Sequence, residues 1–166
     1  MEIIPLLLKE LEQEAVTIRK FLNLVPMDKL EYKPHPKSMS MMNLSTHIAE
    51  LPGWISMALQ TDGLDFAVTP YQPTVFSTTQ ELLDIFETAL ANGKTALGNA
   101  KEEDLLLHWV LRYGDNILSD WTKYEVVRHA LAQIIHHRAQ LGVYLRLLDI
   151  PIPGSYGPSA DDGGTI

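Results

Sequence analysis

No cysteine occurs among the 166 residues, which excludes disulfides, thiolate zinc sites and a cysteine nucleophile. Basic residues are also few: 13 Lys and Arg stand against 21 Asp and Glu, for a formal net charge of −8. They form no stripe, so capture of nucleic acid or of an anionic membrane surface is not expected. No apolar run approaches the roughly 20 residues that a membrane-spanning helix requires. The first residues carry charge too early for a signal peptide. Together with the missing cysteines, this composition predicts a soluble cytoplasmic protein. A glycine-rich phosphate loop, a Gly-x-Ser-x-Gly elbow and a His-Glu-x-x-His pair are all absent, which leaves nucleotide binding, serine hydrolysis and zincin-type proteolysis without support.

What the chain does have is apolar residues at helical spacing. Ile4, Leu7, Leu8, Leu11, Ala15, Ile18 and Leu22 line one face of a first helix, with Pro5 in its first turn, where a missing N–H costs little. The proline-containing stretch from Tyr32 to Ser38 enforces an extended connection. A second helix is expected from near Ser40 to about Leu59, kinked just after His47 because Pro52 removes the hydrogen bond to the Ile48 carbonyl. Thr61 to Phe76, with Gly63, Pro70 and Pro73, reads as a loop. Thr78 and Glu81 have the spacing of a capping box and open a third helix with Leu82, Leu83, Phe86, Ala89, Leu90 and Leu97 inward. Aromatic and β-branched residues on either side of Gly114-Asp115 predict a short hairpin between Leu106 and Trp121. Thr122 and Glu125 form a second capping box, and the last helix runs from there to about Leu148. The expected fold is all-α: an up-and-down four-helix bundle over residues 1–150, with a small β-hairpin or irregular insert before the last helix. Residues 151–166 form a proline- and glycine-rich tail, expected to lie across the bundle mouth or to be partly unstructured.

The polar groups on the last helix are where a functional argument starts, because burying them is costly unless something satisfies them. At about 100° per residue, Ala130, Ile134, Leu141, Tyr144 and Leu148 fall within about 60° of His137, so His137 faces inward. Gln133 precedes it by one turn, and both side chains reach one point outside the helix. His129 and His136 fall toward the rim, at about 80° and 100°. On the second helix His47 shares its face with Leu44, Leu51, Trp54, Ile55 and Ala58. Two inward histidines on different helices are a usual basis for a metal site in a bundle. A hydrogen-bonded core histidine is the commoner explanation of each one taken alone. His35 is expected in solvent, His108 on a strand face, and His129 paired with Glu125, its neighbour one turn back. Trp54, Trp109 and Trp121 suit a pocket lining or the core equally well.

Three segments carry a family resemblance. Asn43-Leu44-Ser45-Thr46-His47-Ile48-Ala49-Glu50-Leu51 resembles the second-helix histidine segment of the DinB/YfiT-type family. His136-His137-Arg138-Ala139-Gln140-Leu141 is similar to that family's His-His-Arg-Gly-Gln signature. The tail from Pro151 to Asp161 looks like the ending of one subfamily. Together they span nearly the whole chain. The resemblance implies a four-helix bundle that holds a divalent metal, zinc or nickel, through three histidines, and it implies a homodimer. Members with known activity are transferases or isomerases that use low-molecular-weight thiols; many members have no assigned activity. His47 matches the first ligand and His137 the third. The middle ligand, four residues before His137, is Gln133 here, and Ala139 stands where the signature has glycine. An amide oxygen is a poorer ligand than imidazole for zinc or nickel. The expectation is therefore that His47, Gln133 and His137 converge and hold metal weakly, prefer a harder ion, or hold none. Two functions follow: a metal-dependent, thiol-using transferase, or a non-catalytic bundle that binds a small ligand or partner.

Overall fold

The computed structural model describes residues 2–163. These residues are predominantly helical, with five α-helices and a small sheet. Helix α1 (Ile4–Leu22) has Pro5 in its first turn, and its first N–H groups are capped from a distance: the Ile3 and Ile4 amides donate to Glu102, at 2.8 and 2.9 Å. A carboxylate there satisfies two orphan donors and meets the positive end of the helix dipole. Helix α2 (Met41–Glu50) starts at Ser40, whose hydroxyl accepts from the Asn43 amide. Helix α3 (Gly53–Gln60) follows directly.

The single kinked helix expected from Ser40 to Leu59 is thus two helices, and the interruption lies at Leu51-Pro52 rather than just after His47. The reason is local. The Leu51 amide still donates to the His47 carbonyl at 3.1 Å, so α2 keeps its bonding to that point. Pro52 has no N–H for the next bond, and the chain restarts with Trp54 donating to Leu51 and Ile55 to Pro52. The break fits closely under the next helix, where a Cβ added at Gly93 would lie 2.7 Å from the Pro52 carbonyl oxygen.

Helix α4 (Thr79–Asn99) and helix α5 (Lys123–Leu147) each begin at the expected capping box. Thr78 accepts from the Glu81 amide while the Glu81 carboxylate accepts from the Thr78 amide, and Thr122 and Glu125 repeat the exchange. At the other end α5 closes with Asp149 at φ 57 and with the Ile150 amide bonded to the Leu145 carbonyl, the αL termination that halts a helix cleanly.

The hairpin is present as β2 (His108–Tyr113) and β3 (Asn116–Thr122), turning through Gly114 at φ 57. A third strand, β1 (Gly63–Asp65), lies in the segment expected to be loop and pairs parallel with β2, Gly63 opposite Val110. Three residues are too few to show a period. The strand exists because its partner does, and Asp65 fixes it by accepting from Arg112 and from the Gly114 amide.

Leu11, Ile18, Leu22, Ile48, Phe86 and Ile134 are fully buried in one core shared by α1, α2, α4 and α5. Each such side chain stabilises the fold by about 1.5–3 kcal/mol relative to exposure. A smaller cluster of Ala58, Trp109 and Val126 joins the sheet to α3 and α5. The tail does not lie free: it folds back on α1 and α5, where the Tyr156 hydroxyl donates to Glu14 and accepts from Arg138, and Asp161 pairs with Arg146. Residues 164–166 of that segment lie outside the described part. Among the described residues no helix is long and apolar enough to cross a membrane.

Candidate functional site

Helices α2 and α5 pack against each other, and their histidines meet where they do. The His47 and His137 rings are 4.7 Å apart between centroids, edge to face at 76°. The angular reading of α5 holds for this helix: His137 is buried, whereas His129 and His136 are exposed. His137 Nδ1 lies 2.7 Å from Gln140 Oε1, an amide oxygen that can only accept, so Nδ1 carries the proton and Nε2 the lone pair. Burial lowers the pKa of both imidazoles below the ordinary value. The neighbouring ring of His137 adds to this at His47, and that of His136 at His137, while Gln140 acts in the opposite direction on His137.

Gln133 stands one turn before His137 and borders the same cavity as His47. Its amide nitrogen is 3.2 Å from His129 Nε2, so the nitrogen end of the amide is engaged and the oxygen is the end with ligating lone pairs. His129 therefore does not pair with Glu125 as expected. Glu125 spends its carboxylate on the Thr122 amide and hydroxyl, at 2.7 and 2.8 Å. The capping box and the i, i+4 pair compete for one side chain, and the cap prevails because it satisfies helix donors that would otherwise be orphaned. Among the described residues no third His, Cys, Asp or Glu joins His47 and His137.

His108 is exposed on β2 and pairs with Asp120 at 2.9 Å, which raises its pKa. His35 is exposed in the loop after α1, its Nδ1 accepting from the Lys37 amide. Neither borders the cavity beside His47.

The cavity beside His47 has a volume of about 150 Å³. Trp54, Trp109 and Trp121 border it, with Leu51, Leu111 and Val126, so the tryptophans serve the pocket and the smaller core together. The tail borders a different cleft on the far side of α5, floored by Phe21 and Gly142, and contributes no wall here. Two features escaped the sequence. Gln140 as the acceptor for His137 was accessible from its i, i+3 spacing. The buried ion pair of Arg138 and Glu14, 3.0 Å apart, joins residues far apart in the chain and had no local signal.

A model of the DinB family matches residues 2–163. The fold is similar to that of a DinB-like protein from Bacillus subtilis, with a TM-score of 0.70 and 19% identity over 90% of this chain and 96% of that one. It is also similar to a DinB-like protein from Bacillus cereus, with a TM-score of 0.68 and 16% identity over 90% of this chain and 95% of that one. Among curated proteins, none matches.

Proposed function

Because this chain belongs to the DinB family, we propose that His47, Gln133 and His137 form a divalent-metal site, for zinc or nickel, in a protein that uses a low-molecular-weight thiol for a transferase-type reaction. The observation that carries this reading is the contact of the two imidazoles, one of them fixed by Gln140. A metal-ligating histidine donates its other ring N–H to a fixed acceptor, which sets tautomer and orientation. Gln140 has that position toward His137. His47 faces it from α2, the helix that Ser40 caps and Pro52 ends. Gln133 would contribute its amide oxygen, so the site binds more weakly than one built from three imidazoles. Such an ion, when bound, supplies Lewis acidity that lowers the pKa of a thiol or water at an open position. Around it, Trp54 and Trp109 exclude water and orient the substrate's apolar part.

Helices α2 and α3 both pack on α4 and α5, which favours treating them as one interrupted arm of an up-and-down four-helix bundle. Homodimer formation belongs to the same proposal and predicts sedimentation at twice the 18.7 kDa chain mass.

One observation favours a second reading, a non-catalytic pocket for a small ligand: the Gln133 amide already has a partner in His129. Elemental analysis of freshly purified protein beside a Gln133→His variant separates the two. The metal reading expects zinc or nickel in the wild type at less than one equivalent, a higher content in the variant, and thiol-dependent turnover. A variant that takes up no more metal than the wild type overturns the convergence of these three side chains.

A further inference from the structure

The cavity beside His47 restricts what the site can accept. Its polar groups, His47, His129 and Gln133, lie together on α2 and α5. The remainder is apolar, and it is dominated by all three tryptophans of the chain. Trp54 and Trp109 stand 6.3 Å apart between ring centroids at 59°, and Trp121 packs on the His129 ring at 4.9 Å. Trp109 donates its only polar hydrogen to Thr61 at 3.0 Å, so its indole N–H asks nothing of an occupant. Among the described residues, no Lys, Arg, Asp or Glu borders the space.

We infer that this cavity binds a neutral, ring-sized apolar group, an aromatic six-membered ring or its equal in bulk, which carries one polar atom toward the imidazoles. Three considerations converge on that class. The volume of about 150 Å³ equals that of the engineered apolar cavity, roughly 150 Å³, that takes up benzene. A charged group would leave water without a counter-ion here, and such a group stays in solvent unless it is paired. Tryptophan faces do attract cations, but with no carboxylate on the wall and two imidazoles at the polar edge, a cation meets no compensating negative charge. The edges and faces of the indoles instead offer a neutral ring the offset and T-shaped contacts that aromatic groups prefer. The inference deepens the proposed function and rests on it only for the polar atom's destination; the ring's place depends on the tryptophans alone.

The test is a titration of the full chain with fluorobenzene, followed by 19F relaxation and by tryptophan fluorescence. It is run without metal and with one equivalent of zinc, with 4-fluorobenzoate and tetramethylammonium in parallel. Fluorobenzene is expected to bind saturably in both forms, and the two ions at least tenfold more weakly. A Leu111→Trp variant fills the cavity from the middle of β2, where Leu111 is half-buried, and is expected to weaken fluorobenzene at least tenfold. A Tyr156→Phe variant, altered at the separate tail cleft on the far side of α5, is expected to keep ring binding within twofold. Absence of saturable fluorobenzene binding to the wild type overturns the inference, as does equal or tighter binding of tetramethylammonium. Should Leu111→Trp fail to fold by circular dichroism, competition between fluorobenzene and toluene for the wild-type protein provides the same decision. Ring binding without zinc uptake supports the pocket while rejecting the metal, so the two failures are distinguishable.

Discussion

Replacing Glu14 by leucine is expected to cost about 3–5 kcal/mol, because it leaves a buried cation without its anion. Arg138 is 2% exposed and Glu14 6%, and their charged groups are 3.0 Å apart. Arg138 has little else to turn to. Its Nη2 donates to the Tyr156 hydroxyl at 2.9 Å, its plane faces the Phe21 and Tyr156 rings, and its Nε and Nη1 make no hydrogen bond. The same substitution takes the acceptor from the Tyr156 hydroxyl, which donates to Glu14 at 2.6 Å, so the tail loses its attachment to α1. For a chain of this length a loss of that size lowers Tm by about 6–20 °C, at roughly 2–4 °C per kcal/mol. The origin of the effect is the orphaned charge rather than the attraction within the pair. The double variant Glu14→Leu, Arg138→Met removes both charges while keeping most of the volume, and it is expected to recover most of the loss. Urea unfolding of the wild type, both single variants and the double variant supplies the cycle. A loss under about 1 kcal/mol for Glu14→Leu, or a double variant that loses the sum of the two singles, refutes the reasoning.

Three further outcomes follow from the same structure. Gly93→Ala puts a Cβ 2.7 Å from the Pro52 carbonyl oxygen, a backbone clash expected to destabilise by about 1–3 kcal/mol; an unchanged urea midpoint would show that α4 does not press on the α2–α3 break. Thr122→Ala removes the hydroxyl that accepts from the Glu125 amide and is expected to cost about 1 kcal/mol, read in the same assay, with no loss meaning that the cap at α5 is replaceable by water. Burial of the hydroxyl, then its hydrogen bond to Glu14, push the Tyr156 phenol up to about 12. A raised tyrosine pKa means that folding opposes loss of the proton. The stabilisation is therefore complete below the unfolded value of about 10 and is lost as pH rises through the folded one. Ultraviolet titration of the wild type against Tyr156→Phe should lose one late-titrating tyrosine, and superimposable late phases would reject the contact with Glu14.

Local signals found the parts of this molecule that local forces build. Thr78-Glu81 and Thr122-Glu125 opened α4 and α5 where the capping boxes stand, because a cap is a contract among four consecutive residues. Angular position on α5 sorted His137 from His136 and His129, because a regular helix converts sequence spacing into direction. What stayed hidden required a partner from elsewhere. Strand β1 is three residues that are a strand only beside β2, and the tail is held by Glu14 and Arg138, one on α1 and one on α5. The Glu125–His129 expectation failed differently. Both uses of the carboxylate were legible, and only the strength of the competing cap decides between them.

The tryptophans carry the same distinction into the site. Their number and positions left pocket and core as equal alternatives, and the two are not exclusive. Trp109 is sealed from solvent in the smaller core and still borders the cavity, because the sheet brings it against Trp54 of α3 and beside the polar edge of α5. A periodic reading of α2 and α5 could identify the two imidazoles, since both belong to helices. It reached Leu51 and Trp54 on the His47 face but had no access to Trp109, Leu111 and Trp121, which β2 and β3 bring to the pocket. The metal question therefore turns on the helix residues His47, Gln133 and His137, whereas the shape of the pocket also depends on strand residues with no sequence relation to them. A substitution at Gln140, which holds His137 and lies outside the cavity wall, should change metal content without changing ring size preference, and one at Leu111 should do the reverse. Independence of these two effects is what separate elements, one supplying donors and the other shape, require.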